Sequence, residues 1–381
     1  MLLLSIWALQ VAFLVRDPFV GQLRHSVEVP PTSVAIEPYG PLFHPFYETE
    51  DITLDQHDGG SQKPIRLPPP KDGDAGRRVL VIAAAPRSVE HVVALWTSLE
   101  CFTADADHVA VSAPTWSQLI LEEVLSEAVR RIPRFASGEV TLEGMVGVND
   151  RYDVGLWCDA LAGMGLERHP KSSSDSPDGD NYGEAGSPYD EIALLNDSVY
   201  ALREYSEIFR ALGDENASMT SLNYSFFHPK GTGEEWHWLE SVWRGFDRTG
   251  IRTFVDHSCR PATDPYFCPR AWWGRKGCIV ENFERAMAWQ FPRDKTFGLF
   301  PSDVPADMLT LSERFHNYRT WVRHPAYWNK LVEEDNFPVS KLNWEGMVDS
   351  IDDERLRTCT RHLDRSWLEE GFDFSVVQSA L

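Results

Sequence analysis

The sequence predicts an α/β protein, a Rossmann-like and mainly parallel sheet flanked by helices. Continuous apolar runs of five or six residues alternate with segments of helical period, and turn-forming residues separate them. Runs that are apolar on both faces suit strands buried between helix layers, and β-α alternation implies parallel pairing. Residues 79–84 are the first such run, and 91–102 place Val92, Leu95, Trp96 and Leu99 on one helical face. Residues 108–112 and 117–132 repeat the step, with Leu121, Val124, Leu125, Ala128 and Ile132 turned inward. A strand at 140–148, a helix at 154–164 and a strand at 191–195 follow, then strand candidates at 219–227 and 253–255 around an expected helix at 234–248. In such sheets ligands bind outside the carboxyl ends of the strands. The turn after the first strand reads Ala85-Pro86-Arg87-Ser88, without a glycine-rich phosphate loop, which disfavours a standard dinucleotide or P-loop site.

Outside this core the composition changes. Residues 1–15 are uncharged and apolar up to Arg16 and read as a targeting segment, with 1–16 a signal peptide or signal anchor. No small-x-small cleavage site precedes Arg16, which favours an uncleaved anchor holding the chain to a membrane; a mis-started chain is the plain alternative. Residues 17–77 are crowded with proline and read as a stem. The catalytic-type domain is expected over 78–305, interrupted by an exposed polar loop at 167–188, and 306–381 reads as a charged helical extension with no assigned chemistry. The segment 277–305 is a candidate lid bringing Arg293 and Lys295 to a phosphate, or else a structural cover for the sheet edge.

The 381 residues carry 36 Lys and Arg against 58 Asp and Glu, a formal charge of −22, so nucleic acid is not expected as a partner. An anionic ligand would need local compensation, from a divalent cation or a few placed basic side chains. Six cysteines permit three disulfides in an oxidising compartment, and the spacing of Cys259, Cys268 and Cys278 suggests a local bridge. Zinc binding by those three with His257 ranks far below that, for want of a Cys-x-x-Cys pair. Asn196, Asn216 and Asn223 each open an Asn-x-Ser triplet, weak support for a secretory route.

Two polar segments stand at predicted strand exits. One runs Asn149-Asp150-Arg151-Tyr152-Asp153 and the other Asn196-Asp197-Ser198-Val199-Tyr200. Taken singly each suits a helix or turn cap. Two carboxylate-bearing exits in one parallel sheet can instead converge on one crevice.

These segments resemble the rhamnan synthesis F type of glycosyltransferase-like proteins, over roughly residues 79–257. Members carry Asn-x-Gly-x-Asp at a helix head and then Leu-Asn-Asp-Ser-x-Tyr-Gly at a strand end. Here Asn149, Arg151 in place of glycine, and Asp153 match the first motif; Leu195, Asn196, Asp197, Ser198 and Tyr200, with Ala201 in place of glycine, match the second. Met219-Thr220-Ser221 and His237-Trp238-Leu239-Glu240-Ser241 resemble the later pattern. The resemblance implies a glycosyltransferase A-type fold that binds a nucleotide sugar and transfers its sugar to a glycan or polysaccharide acceptor. It implies a divalent cation, Mn or Mg, on the diphosphate, with Asp197 as the metal or ribose-diphosphate contact. Asn149 and Asp153 would hold base or ribose and Arg151 would face phosphate, with Asn196 and Ser198 beside them; for each the alternative is a capped helix start. For the general base Glu240 and Asp256 are the candidates, either of which would otherwise be an ordinary surface or structural carboxylate. Trp236, Trp238 and Trp243, with Trp272 and Trp273, suggest an acceptor platform, although Trp236 and Trp243 seven apart on a helix would more often be core. The secretory reading places the chain in the Golgi lumen as a type II membrane protein, or secretes it. Loss of turnover would leave a carbohydrate-binding or scaffold protein on the same fold.

Overall fold

The first four strands of the chain's main sheet are parallel and follow the predicted runs closely. The computed structural model describes residues 77–147, 152–166, 189–227, 236–259, 286–300, 318–319, 325–334, 336–342, 348 and 350–374. All of them belong to one unit within residues 40–381. Strand β1 (Arg78–Ala83) leads through helix α1 (Val89–Cys101) to β2 (His108–Pro114), and α2 (Gln118–Arg131) and the helical turn α3 (Pro133–Ala136) lead to β3 (Thr141–Gly147). Helix α4 (Tyr152–Gly163) then precedes β4 (Glu191–Asn196). β1 pairs in parallel with β2 on one side and β4 on the other, and β2 with β3, which gives the order β3-β2-β1-β4. The α/β, Rossmann-like class predicted from the sequence is therefore the observed one.

Beyond β4 the sheet turns mixed. Short β5 (Val199–Ala201) and helix α5 (Glu207–Asp214) come next, then β6 (Met219–Phe227), β7 (Trp236–Leu239), β8 (Trp243–Asp247) and helix α6 (Arg248–Ser258). β8 lies antiparallel between β4 and β6. β7 also runs antiparallel to β6, and β9 (Thr296–Phe300) parallel to it. The expected helix at 234–248 is thus two strands and a turn, and the expected strand at 253–255 lies inside α6. The chemistry of α6 explains the second difference: Asp247 caps it, its carboxylate accepting the Gly250 N–H at 2.6 Å. Ile251, Phe254 and Val255 then fall on its buried face.

Side chains alternate across the strands and feed two cores. Leu80, Ile82, Val109, Val111 and Leu142 face α1 and α2. Val79, Val81, Ala110, Ile192 and Leu194 face α4 and α6. The C-terminal region, expected as a helical extension, is only partly helical and belongs to the first core. After β10 (Tyr318–Arg319), helix α7 (Pro325–Glu334) buries Trp328 and Leu331, and β11 (Val339–Lys341) pairs antiparallel with β5. A 3-10 turn at Glu354–Thr360 and helix α8 (Arg365–Glu370) add Leu356 and Leu368.

Two disulfides tie these layers, Cys101 to Cys359 and Cys158 to Cys259. The second takes Cys259 to a partner 101 residues away on α4, so of the three clustered cysteines only Cys268 and Cys278 are left for the expected local bridge. Cys268 and Cys278 lie outside the described residues. Beside the first disulfide, the buried Glu100 carboxylate accepts from Trp96 Nε1 at 2.9 Å and Arg361 Nε at 3.0 Å, with His362 Nδ1 at 2.9 Å. That cluster anchors the C-terminal region to the last turn of α1. Among the described residues no helix is long and apolar enough to cross a membrane, and residues 1–16 lie outside them.

Candidate functional site

Strand order fixes where a ligand can enter. From β1 the chain steps through α1 to β2 on one side; from β3 it returns through α4, on the opposite face, to β4 on the other side. The loop leaving β1 and the segment leaving β4 both run to the α1 face, where β5 packs on α1, and they meet at the carboxyl edge of the sheet, where such folds take ligands in a crevice outside the strand ends. Asn196 and Asp197 stand at the end of β4 on that edge, the strand exit expected of them.

Asp197 is 7% exposed. Its Oδ2 accepts the Ala85 N–H at 2.6 Å, and its own N–H donates to Ala83 O at 3.0 Å, so it joins the two loops. Burial pushes its carboxyl up to about 6, against the downward pull of the Ala85 N–H, Arg87 and Lys341. Asn196 is buried and its Oδ1 accepts both the Ser198 N–H at 3.2 Å and the Ser198 hydroxyl at 2.5 Å. The Ser198 hydroxyl in turn accepts from Lys341 Nζ at 2.6 Å.

The β1 exit supplies the other wall. Arg87 is exposed, and Ser88 precedes α1 without using its side chain as a cap. Its hydroxyl lies 2.9 Å from His91 Nδ1 instead. His91 is buried, and burial, with Arg87 adding to it, holds its imidazole down to about 4. Glu90, exposed in the first turn of α1, is held below the usual carboxylate range by its bond to Ser88.

The remaining predicted residues divide. Glu240 sits in the turn between β7 and β8 and not on a helix, but the turn reaches the same edge: Val242 O accepts the Asn196 N–H at 3.2 Å. Ser221 Oγ donates to Glu240 O at 2.7 Å and fixes that turn. Asp256 is exposed on α6, off its buried face, and not at a strand exit. Asp153 is half-buried in the first turn of α4. One turn on, Trp157 Nε1 donates to Leu195 O at 2.9 Å and ties α4 to β4 directly before Asn196. Asp153 and Trp157, four apart, share a helix face. Asn149 and Arg151 lie outside the described residues, as do Trp272 and Trp273. Trp243 is fully buried, its ring 4.2 Å from that of Phe102, so it is core and not an acceptor platform; Trp236 lies on β7, not on a shared helix face. Lys295 precedes β9, and its Nζ donates to Asn216 O at 3.0 Å, at the edge opposite the crevice. That position removes it from a phosphate held at Asp197.

Two residues of the crevice went unassigned in the sequence. Arg87 stood visibly at a strand exit. Lys341 gave no signal, because a three-residue strand 143 positions from Ser198 brings it there.

The donors around Asp197 do not fit a protein-held divalent cation. Such an ion takes six or so oxygen ligands and depends on carboxylates. Here one carboxylate has an oxygen committed to Ala85, and its neighbours are an amide oxygen already accepting twice and a serine hydroxyl. Among the described residues no three His, Cys, Asp or Glu side chains converge to hold a metal.

No family model matches the chain, and no curated protein matches it. Among solved structures it is similar to 4-diphosphocytidyl-2C-methyl-D-erythritol synthase from Anaerococcus prevotii, at 10% identity, over 59% of this chain and 86% of that one, with a TM-score of 0.29. The α/β assignment rests on the strand order and pairing given above.

Proposed function

We propose that the protein transfers a sugar from a nucleotide sugar to the hydroxyl of a glycan acceptor. The observation that carries the reading is the meeting of Asp197 and the β1 exit loop at the carboxyl edge of the sheet, with the Glu240 turn at the same edge. The ordered motifs that resemble rhamnan synthesis F-type proteins run through the same residues. In the step, the acceptor oxygen bonds to the anomeric carbon while the carbon–oxygen bond to the diphosphate breaks. The electron pair leaves with the nucleoside diphosphate, and for an inverting transfer Glu240 takes the hydroxyl proton. Asp153 and Asn196 support the donor, and Asp197 holds the two loops in register. The acceptor, and a secretory or Golgi location reached through residues 1–16, belong to the same proposal.

The test is thermal unfolding of the full chain with a panel of sugar nucleotides and, separately, oligosaccharides. A melting shift with one nucleotide sugar, followed by its turnover, supports transfer. Stabilisation by oligosaccharide alone makes the protein a carbohydrate-binding module. Loss of nucleotide affinity and turnover in Asp197→Ala is expected; full retention of both would remove Asp197 from the site.

A further inference from the structure

We infer that Lys341, with Arg87 of the β1 exit loop, binds the diphosphate of the donor directly and supplies the positive charge that the expected metal ion would have brought. The inference rests on the transfer reading above and names how that site handles charge.

A departing diphosphate gathers negative charge as its bond to the sugar breaks, and fixed cations or donors aimed at it lower the barrier. The donor set at Asp197 is poor in carboxylate, as shown. Positive charge is nevertheless present. Lys341 reaches Ser198, the residue after Asp197, from β11, and Arg87 stands two residues beyond Ala85, whose N–H Asp197 accepts.

Lys341 is held in place by backbone on both sides. β11 lies opposite β5 with Lys341 across from Val199, and Leu342 N donates to Ser198 O at 2.8 Å. Leu202 N donates to Pro338 O at 2.9 Å, and Trp328 Nε1 to Val339 O at 2.8 Å. Val339 is fully buried and Phe337 nearly so, which fixes the strand in the core. The half-buried Lys341 therefore presents an ammonium on a rigid element, bonded to a hydroxyl that itself donates a hydrogen bond to Asn196 Oδ1. A lysine serves phosphate as a compact point charge, and an arginine on an exposed loop can fork onto a second phosphate.

The experiment is calorimetric titration of the full chain with UDP, GDP, CDP, ADP, dTDP and inorganic pyrophosphate, in EDTA and again in Mg²⁺ or Mn²⁺. For the tightest nucleoside diphosphate, affinity in EDTA should stay within about threefold of that with metal, and Lys341→Met should weaken it about tenfold or more, the loss expected for a hydrogen bond to a charged group. Lys341→Arg should recover most of the loss, and the matching monophosphate should lose less than the diphosphate. Arg87→Gln, in an exposed loop, should weaken diphosphate binding severalfold without altering the melt, and it carries the test if Lys341→Met fails to fold. Wild-type binding that disappears in EDTA, or folded Lys341 and Arg87 variants that bind as wild type, would overturn the inference while leaving the transfer reading standing. Absence of diphosphate binding under both conditions would overturn the two together.

Discussion

Replacing Asp197 by asparagine should make the protein more stable at pH 8, not less. The carboxyl is 7% exposed, and burial raises it from an ordinary 3.8 to about 6 despite the Ala85 N–H and two nearby cations. A shift of that size corresponds to about 3 kcal/mol of unfavourable charge burial when the group is ionised. An acid with a higher pKa in the fold binds its proton more tightly in the native state, so its contribution to stability falls as pH rises from about 4 through 6 and is flat above. Asparagine keeps an oxygen for the Ala85 N–H and carries no charge. Urea unfolding of wild type and Asp197→Asn at several pH values between 4 and 8 reads the difference. The variant should lead by about 2–3 kcal/mol at pH 8, and the gap should close as wild-type Asp197 takes up its proton towards pH 4. His91 works in the other direction: held down to about 4, it stays neutral in the fold while the unfolded chain protonates below 6.5, so it removes stability as pH falls. Because His91 is present in both proteins, its effect cancels in the comparison. A variant that is less stable at pH 8, or a gap that does not change with pH, would show that the Asp197 charge is satisfied by the fold and is structural.

Other outcomes follow from packing and covalent geometry. Cys101→Ser with Cys359→Ser removes a link between positions 258 apart and should lower stability by about 2–5 kcal/mol, read as a fall in melting temperature; an unchanged melt would refute it. In α6 a Cβ at Gly250 would stand 1.9 Å from Ser218 O, whereas one at Gly213 in α5 meets nothing within 4 Å. Gly250→Ala should therefore cost about 2 kcal/mol or more and Gly213→Ala should gain about 0.5 kcal/mol, measured as urea midpoints. Of the three Asn-x-Ser triplets, Asn196 and Asn223 are buried, at 5% and 0% exposure, while Asn216 is exposed at a left-handed turn after α5. Protein made in a eukaryotic secretory host should carry glycan on Asn216 alone, and Asn216→Gln should abolish the mass shift on deglycosylation.

The parallel half of the sheet was legible because its strands are buried on both faces and read as unbroken apolar runs, each followed by a helix with one inward stripe. β1 to β4 needed no long-range information to be found, and α/β alternation gave their direction. The antiparallel half was not legible in the same way. Trp236 and Trp243 stand seven apart, which suits a helix, yet each belongs to a short strand, Trp243 beside Leu195 and Trp236 beside Phe227. What decides between the readings is pairing with β4 and β6, a contact between distant residues that no local period encodes. Residues 253–255 were misread for the complementary reason: a β-branched and aromatic triplet outweighed the cap at Asp247, although aspartate three residues before Gly250 was the signal that a helix begins there.

The site divides along the same line. Asp197 and Asn196 were visible because a polar pair directly after an apolar strand sits at the edge where parallel sheets bind ligands. Glu240 was singled out on a helix that does not exist, and the β7–β8 turn returns it to that edge through the bond between Asn196 N and Val242 O. Lys341 was invisible because the chain reaches the crevice only after more than a hundred further residues, on a strand of three. The acidic and amide groups of the crevice, and Arg87, are thus encoded locally, in strand exits, whereas Lys341 arrives by tertiary pairing of β11 with β5. A sequence reading misses Lys341 and infers a metal in its place. Once the fold brings Lys341 to Ser198, the charge balance can be met by the chain itself, and dependence on added metal becomes the measurement that separates the two accounts.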